Sequence, residues 1–420
     1  MTLQTTTPTL DRREFLKLTG QSTAAMAWLT GCTLSPEIQP PVSHNTATRV
    51  NEKSDSQSLP QEKSLPEENT KPEISLEVKI GQMLLVGFRG IEIMSHDDPI
   101  IQDIREHHIG GVVLFNYDVA RQSPVRNIQS PQQVKTLVST LQDYSEIPLF
   151  IGIDYEGGII NRLPEAYGFP ATVSHQYLGN KNNRKLTRQY ATTMAKTLAE
   201  FGINLNFAPV VDVNTNPHNP IIAKKQRSFS PNPKIVAQHA LEFIKAHREQ
   251  NVLCTLKHFP GHGSSTADSH LGVADVSKTW NPLELKPYIE LIQAGEADTI
   301  MTAHVFNKQL DPDYPATLSN LIITGLLRGE LNFKGLIFSD DMQMKAIANS
   351  YGLETAIHKA IKAGIDILVI GNNTGDFVPD IAKRVATIIK QLVQNGTLSE
   401  ERINESYQRI TQLKSRLAAL

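Results

Sequence analysis

From residue 75 onward the chain alternates short, unbroken apolar runs with longer stretches in which apolar residues recur every three or four positions. The apolar runs fall at 80–88, 109–115, 148–154, 203–211, 252–258, 299–304, 335–339 and 365–370. An apolar run with no polar alternation predicts a strand buried on both faces, as in a parallel sheet. Between the runs, helical periodicity is read at 98–107, 131–144, 185–201, 233–250, 282–294, 318–331, 343–363 and 377–395. Eight strand–helix repeats predict a (β/α)8 (TIM) barrel forming a single catalytic domain over 75–420. The alternative is an open doubly wound sheet. That fold would carry a phosphate-binding glycine pattern after an early strand, and no convincing one is present. A last segment places Ile403, Tyr407, Ile410 and Leu413 on one helical face, so a final helix is expected to pack on the barrel.

Composition changes this picture only at the N-terminal end. The 420 residues carry 40% hydrophobic residues and a formal net charge of −2, enough for a large core and a poor match for nucleic acid as a partner. Two cysteines offer no disulfide framework, and Cys254, within an apolar run, is expected to be a core residue. Arg12-Arg13-Glu14-Phe15-Leu16-Lys17 resembles a twin-arginine export signal, with Asp11 where Ser or Thr is usual. The apolar stretch after it is too short and too polar to span a bilayer. It ends in Leu29-Thr30-Gly31-Cys32, which resembles a lipobox and implies cleavage before Cys32 and lipidation of its sulfur. Residues 1–31 are therefore read as a lipoprotein signal peptide, and 32–74, rich in Pro, Ser, Thr, Asn and Glu, as a disordered linker. A membrane partner through the lipid on Cys32, a position facing periplasm or exterior, and a monomeric state are expected. A coil of this length has an end-to-end distance of roughly 35 Å.

The candidate chemistry sits where a barrel keeps it, at the carboxyl ends of the strands. The third strand ends in Asp154-Tyr155-Glu156-Gly157-Gly158, with Arg162 soon after. The fourth ends in Val211-Asp212, and its loop carries Arg227. The fifth ends in Lys257-His258-Phe259-Pro260-Gly261-His262-Gly263, with Asp268-Ser269-His270 beyond it. The sixth ends in His304 and the seventh in Asp340-Asp341. Many carboxylates and cations with little apolar lining suit a ligand rich in hydroxyls. His258, His262, Asp268 and His270 include plausible zinc ligands. Their spacing is not that of a helical His-Glu-x-x-His site, and Lys257 beside His258 would repel a cation. No metal and no cofactor is expected.

These motifs resemble the β-N-acetylhexosaminidase branch of the family-3 glycoside hydrolases, over essentially all of 75–420. The resemblance rests on Lys-His-Phe-Pro-Gly-His-Gly followed by Asp-Ser-His, on Asp-x-Glu-Gly-Gly with a downstream Arg, on Phe207 to Val213, and on Phe338-Ser339-Asp340-Asp341-Met342. It implies a retaining enzyme that removes β-linked N-acetylglucosamine from peptidoglycan-derived saccharides. Asp340 matches the nucleophile, and His270, partnered by Asp268, the acid/base. Asp154, Arg162, Arg227, Lys257 and His258 match the residues that grip the sugar. Two departures stand out: Ile159 where the family often has Arg, and a longer loop, residues 222–226, before Arg227.

The resemblance agrees with elementary chemistry. A retaining glycosidase needs an ionised carboxylate to attack the anomeric carbon and a proton donor for the leaving oxygen. A histidine, with an ordinary pKa of about 6.5, suits that proton transfer near neutrality. Asp268, two residues earlier, would fix its tautomer, and the glycines and small residues between 261 and 267 would let the loop move. On this reading Asp341 supports or caps, His262 is structural, Asp212 orients its neighbours, and His304 either lines the pocket or bonds within the core. Three alternatives stay open: a β-N-acetylglucosaminide phosphorylase, since an imidazole repels phosphate less than a carboxylate does, another β-glycosidase on the same fold, and a non-catalytic sugar-binding lipoprotein.

Overall fold

The computed structural model describes residues 74–418. The expected signal peptide over 1–31, Cys32 and the linker up to residue 73 lie outside the described residues.

Eight parallel strands form the centre: β1 Leu84–Gly87, β2 Gly111–Leu114, β3 Phe150–Ile153, β4 Leu205–Asn206, β5 Leu253–Phe259, β6 Thr299–Thr302, β7 Leu336–Phe338 and β8 Leu368–Ile370. They pair in sequence order from β1 to β7, and β8 returns to β1 with Leu84 opposite Leu368. A parallel bridge between Phe338 and Ile367 joins β7 to β8, so the sheet closes on itself as the expected barrel. The strands are buried along their whole length, as unbroken apolar runs require. Helices pack outside them and begin where polar caps allow. Ser130 accepts the N–H of Gln133 at 3.3 Å ahead of the helix Pro131–Asp143, and Asn232 accepts that of Lys234 at 3.0 Å ahead of Pro233–Arg248.

Four elements differ from the expectation. The apolar run 80–88 is split: its first residues belong to the helix Leu76–Gln82, capped by Ser75, and only Leu84–Gly87 is strand. A short buried helix and a short buried strand are both apolar, so periodicity alone does not separate them. The run 203–211 pairs as strand only over Leu205–Asn206; beyond it Val210 bridges to Lys257. The helix expected over 343–363 breaks at Gly352, whose φ of +70° is open to glycine at little cost. The segment Leu321–Glu330 is wound as a π-helix, closing with Leu331 N–H donating to the Leu326 carbonyl at 2.9 Å. The final helix, Glu400–Ala418, forms as expected, with Ile403, Ile410 and Leu413 buried. No described helix is long and apolar enough to cross a membrane.

Candidate active site

The carboxyl end of β3 runs straight into a hairpin, Tyr155–Gly157 with Ile160–Asn161, turned by Gly157 and Gly158 at φ +94° and +63°. A Cβ on Gly158 would lie 2.7 Å from that of Ser174, so glycine is required there on two counts. The hairpin fixes two carboxylates. Asp154 accepts from Lys257 Nζ at 2.7 Å and lies 3.5 Å from Arg162. Glu156 is 1% exposed and accepts two parallel N–H bonds from Arg227, both 2.8 Å, with Lys257 Nζ at 2.7 Å. Burial pushes both carboxyls up, but Lys257 with Arg162 overrides it at Asp154. Arg227 with Lys257 does the same at Glu156, which is held at about 2. Arg162 is braced from outside by the ring of Phe115, 5.6 Å away; Arg126 lies against the same ring.

Arg227 arrives by a tight turn. Asn219 Oδ1 accepts the N–H groups of Ile221 and Ile222 at 2.9 Å each, and the Arg227 N–H donates to the Ile222 carbonyl at 3.0 Å. Ile222 is buried while Lys224, Lys225 and Gln226 face solvent, so the longer loop spends its extra residues outside the pocket. Ile159 stands at the hairpin tip, 55% exposed.

Asp212 is fully buried and organises the β5 end. It accepts the backbone N–H of His258 at 3.2 Å and of His262 at 2.7 Å, and the Nδ1–H of His258 at 2.7 Å. With Nδ1 donating, His258 Nε2 accepts from Arg227 at 3.2 Å. Burial, then the Arg227 charge, drives the His258 pKa well down, so the ring is neutral. Both its nitrogens are therefore committed to protein partners.

At the β7 end, Asp340 Oδ1 accepts the N–H of Asp341 at 2.8 Å; among the described residues its carboxylate makes no other hydrogen bond. Burial disfavours its ionisation, and the surrounding histidines, His304 first, together with the Asp341 N–H, favour it. The result is a carboxyl below its ordinary 3.8, an anion at neutral pH. Asp341 turns away to accept the N–H groups of Gln343 at 3.1 Å and Gly371 at 3.0 Å, and burial lifts it to about 6. His304 Nε2–H donates to the Asp341 carbonyl at 2.9 Å, and its Nδ1 meets Thr317 Oγ1 at 2.8 Å. It therefore bonds within the core and holds the backbone beside Asp340.

His270 and Asp268 pair on the β5 loop. Asp268 Oδ1 accepts both the backbone N–H and the Nδ1–H of His270, each at 2.8 Å. The His270 side chain is 54% exposed at the mouth. The structure thus joins Asp154, Arg162, Arg227 and Lys257 in one ion-pair network with Glu156, ties His258 to it by a hydrogen bond to Arg227, sets Asp340 within reach of their field, and keeps Asp268–His270 as a separate unit on the rim. Glu156, the residue that binds Arg227 and Lys257 together, was visible only as a letter in a motif. Its carboxylate two positions from Asp154, with two cations elsewhere, was the available signal.

The family described as glycosyl hydrolase family 3 N terminal domain matches residues 75–413. The chain is 35% identical over 341 residues to a Pseudoalteromonas piscicida protein named beta-hexosaminidase A, covering 75% of this chain and 54% of that one. It is 34% identical over 293 residues to a Tolumonas auensis beta-hexosaminidase, covering 69% and 83%. A solved glycoside hydrolase family 3 beta-N-acetylglucosaminidase from Paenibacillus superposes with a TM-score of 0.75 at 35% identity, covering 82% of this chain and 63% of that one. The chain therefore spans about half the length of the first of these relatives and under two thirds of the Paenibacillus chain. With a barrel of this topology and a family match over nearly all its described residues, the chain belongs to glycosyl hydrolase family 3.

Proposed function

We propose that the protein is a retaining exo-β-N-acetylglucosaminidase acting on terminal β-linked N-acetylglucosamine of peptidoglycan-derived fragments. The observation that carries this reading is the pairing of an ionised, sparsely bonded carboxylate, Asp340, with a carboxylate-backed imidazole, His270, on a loop of the same barrel mouth. Asp154, Lys257, Arg162 and Arg227 line the mouth with the fixed donors and acceptors that a sugar's hydroxyls need, and His258 holds the Arg227 guanidinium in place. In the first step Asp340 attacks the anomeric carbon while protonated His270 gives its Nε2 proton to the departing oxygen. Asp268 stabilises the imidazolium through Nδ1–H. In the second step His270, now neutral, takes a proton from water as that water displaces Asp340. The relatives' names support the substrate class: two curated relatives are beta-hexosaminidases and the Paenibacillus structure is a beta-N-acetylglucosaminidase.

The test is an aryl β-N-acetylglucosaminide assay with Asp340→Ala, together with mass analysis of protein trapped by a slow 2-fluoro substrate. A loss of at least about 10³-fold and a glycosyl adduct on Asp340 are expected. Normal turnover by the variant, or a sugar 1-phosphate as product in phosphate buffer, would overturn the reading. We further propose export and a lipid anchor at Cys32, with several buried acyl chains at about 0.8 kcal/mol per CH₂ holding the enzyme at a membrane. A Cys32→Ser variant is then recovered in the soluble fraction, and wild type with membranes.

A further inference from the structure

We propose that His262 is a positioning residue for the acid/base pair: through Ser269 it latches the loop so that Asp268 and His270 are presented to the barrel mouth. This rests on Asp268 and His270 carrying the proton, as proposed above.

The loop is held firmly at both ends and at one point between. Upstream, the Ser265 carbonyl accepts from Asn216 Nδ2 at 2.8 Å. Downstream, Ala274–Asp275 pairs with Val305–Phe306. Between these, Asp268 to Leu271 forms a turn closed by Leu271 N–H donating to the Asp268 carbonyl at 3.0 Å. With the two bonds from His270 to Asp268, the turn is one rigid body. Among the described residues, the only hydrogen bond from 268–273 to anything outside that segment joins Ser269 Oγ to His262 Nε2, at 3.1 Å. Ser269 is 2% exposed, while His270 beside it faces solvent. The serine hydroxyl is thus where the turn's side chains meet the interior.

His262 is built as a fixed post. Its N–H donates to Asp212, its carbonyl accepts from Asn219 Nδ2 at 2.7 Å, and the next N–H, of Gly263, donates to Glu284 at 2.8 Å. Gly263 is pressed against Val213, so that a Cβ there would sit 1.7 Å from the Val213 carbonyl oxygen. The ring's other nitrogen, Nδ1, is buried without a partner, which leaves the bond to Ser269 as the ring's one hydrogen bond. Asp212 therefore positions two things at once: His258 directly, and the acid/base turn by way of His262 and Ser269. Removing the latch leaves the Asp268–His270 pair chemically whole but lets the turn move as a unit between its anchors.

The experiment compares kcat/KM on two β-N-acetylglucosaminides, one with a sugar alcohol as leaving group and one with 2,4-dinitrophenolate, which departs without a proton. Ser269→Ala, which deletes a single oxygen, is expected to lower kcat/KM about 10-fold on the first and less than about 2-fold on the second. His262→Leu should show the same split. His262→Gln, whose amide nitrogen can occupy the Nε2 position, should restore most of the loss. Equal losses on both substrates, or no loss on the first, would overturn the latch. His270→Ala is the reference. If it shows the split and Ser269→Ala does not, only the latch fails; if it shows no split, the acid/base assignment fails and the latch with it.

Discussion

Replacing Glu156 with glutamine removes one charge from the centre of the site's ion-pair network without changing its shape. In the protein this carboxylate takes two bonds from Arg227 and one from Lys257 while almost wholly buried. Glutamine keeps one acceptor oxygen but turns an NH₂ donor toward a cation. A carboxyl held at about 2 instead of its ordinary 4.5 has its charged form favoured by about 3 kcal/mol, at 1.36 kcal/mol per tenfold change. Breaking a buried pair from one side costs about 3–5 kcal/mol, in agreement. A barrel of roughly 340 residues unfolds with an entropy of about 0.7 kcal/mol/K, so the melting temperature should fall by about 4 °C at pH 7. The effect has a defined pH window. A depressed carboxyl contributes fully above its unfolded value of 4.5 and loses its contribution as pH falls toward 2. The gap between wild type and variant should thus shrink steadily from pH 5 to pH 3. Thermal melts followed by circular dichroism across that range are the assay. A variant melting within about 1 °C of wild type at pH 7, or a gap that stays constant to pH 3, would refute the reasoning.

Two further outcomes follow from buried charges far from the mouth. Lys414, on the last helix, is buried and donates to Gln82 Oε1 at 2.7 Å and the Gly110 carbonyl at 2.8 Å, and burial lowers it to about 7. The folded protein then binds fewer protons than the unfolded chain between about pH 7 and 10.5, so wild-type stability should rise with pH across that window; in Lys414→Met, urea denaturation midpoints should show no such rise. Asp366 is fully buried and accepts from Arg328 at 2.5 Å, Arg409 at 3.1 Å and Arg402 at 3.3 Å. Asp366→Asn leaves three guanidinium groups facing one another and should cost at least about 3 kcal/mol, read from the urea midpoint.

Which residues would meet was legible in part. Strand-end positions in a barrel converge, so Asp154, Lys257, His258 and Asp340 could be assigned to one mouth from the order of apolar runs. The pairing of Asp268 with His270 was legible because two residues of one turn must lie close. Partner choice was not. Sequence placed Arg227 on a rim loop, but that it forks onto Glu156 depends on the turn built by Asn219. His262 and His304 carry the same ring as His258, and only packing assigns one to Ser269, one to the Asp341 carbonyl and one to Asp212.

The sequence by itself determined what local chemistry and periodicity determine: eight buried strands with helices between them, a polar mouth, and the residue types able to do acid–base and nucleophilic work. Those depend on composition and spacing along the chain, which need no folding to be read. Tertiary structure decided which of several equivalent cations and imidazoles faces which carboxylate. It also decided where the first apolar run turns from helix to strand, and that one hydroxyl between Asp268 and His270 ties them to the interior. Such choices are made by distances of 3 Å or so between residues far apart in the chain, because hydrogen bonds and buried ion pairs act only at that range.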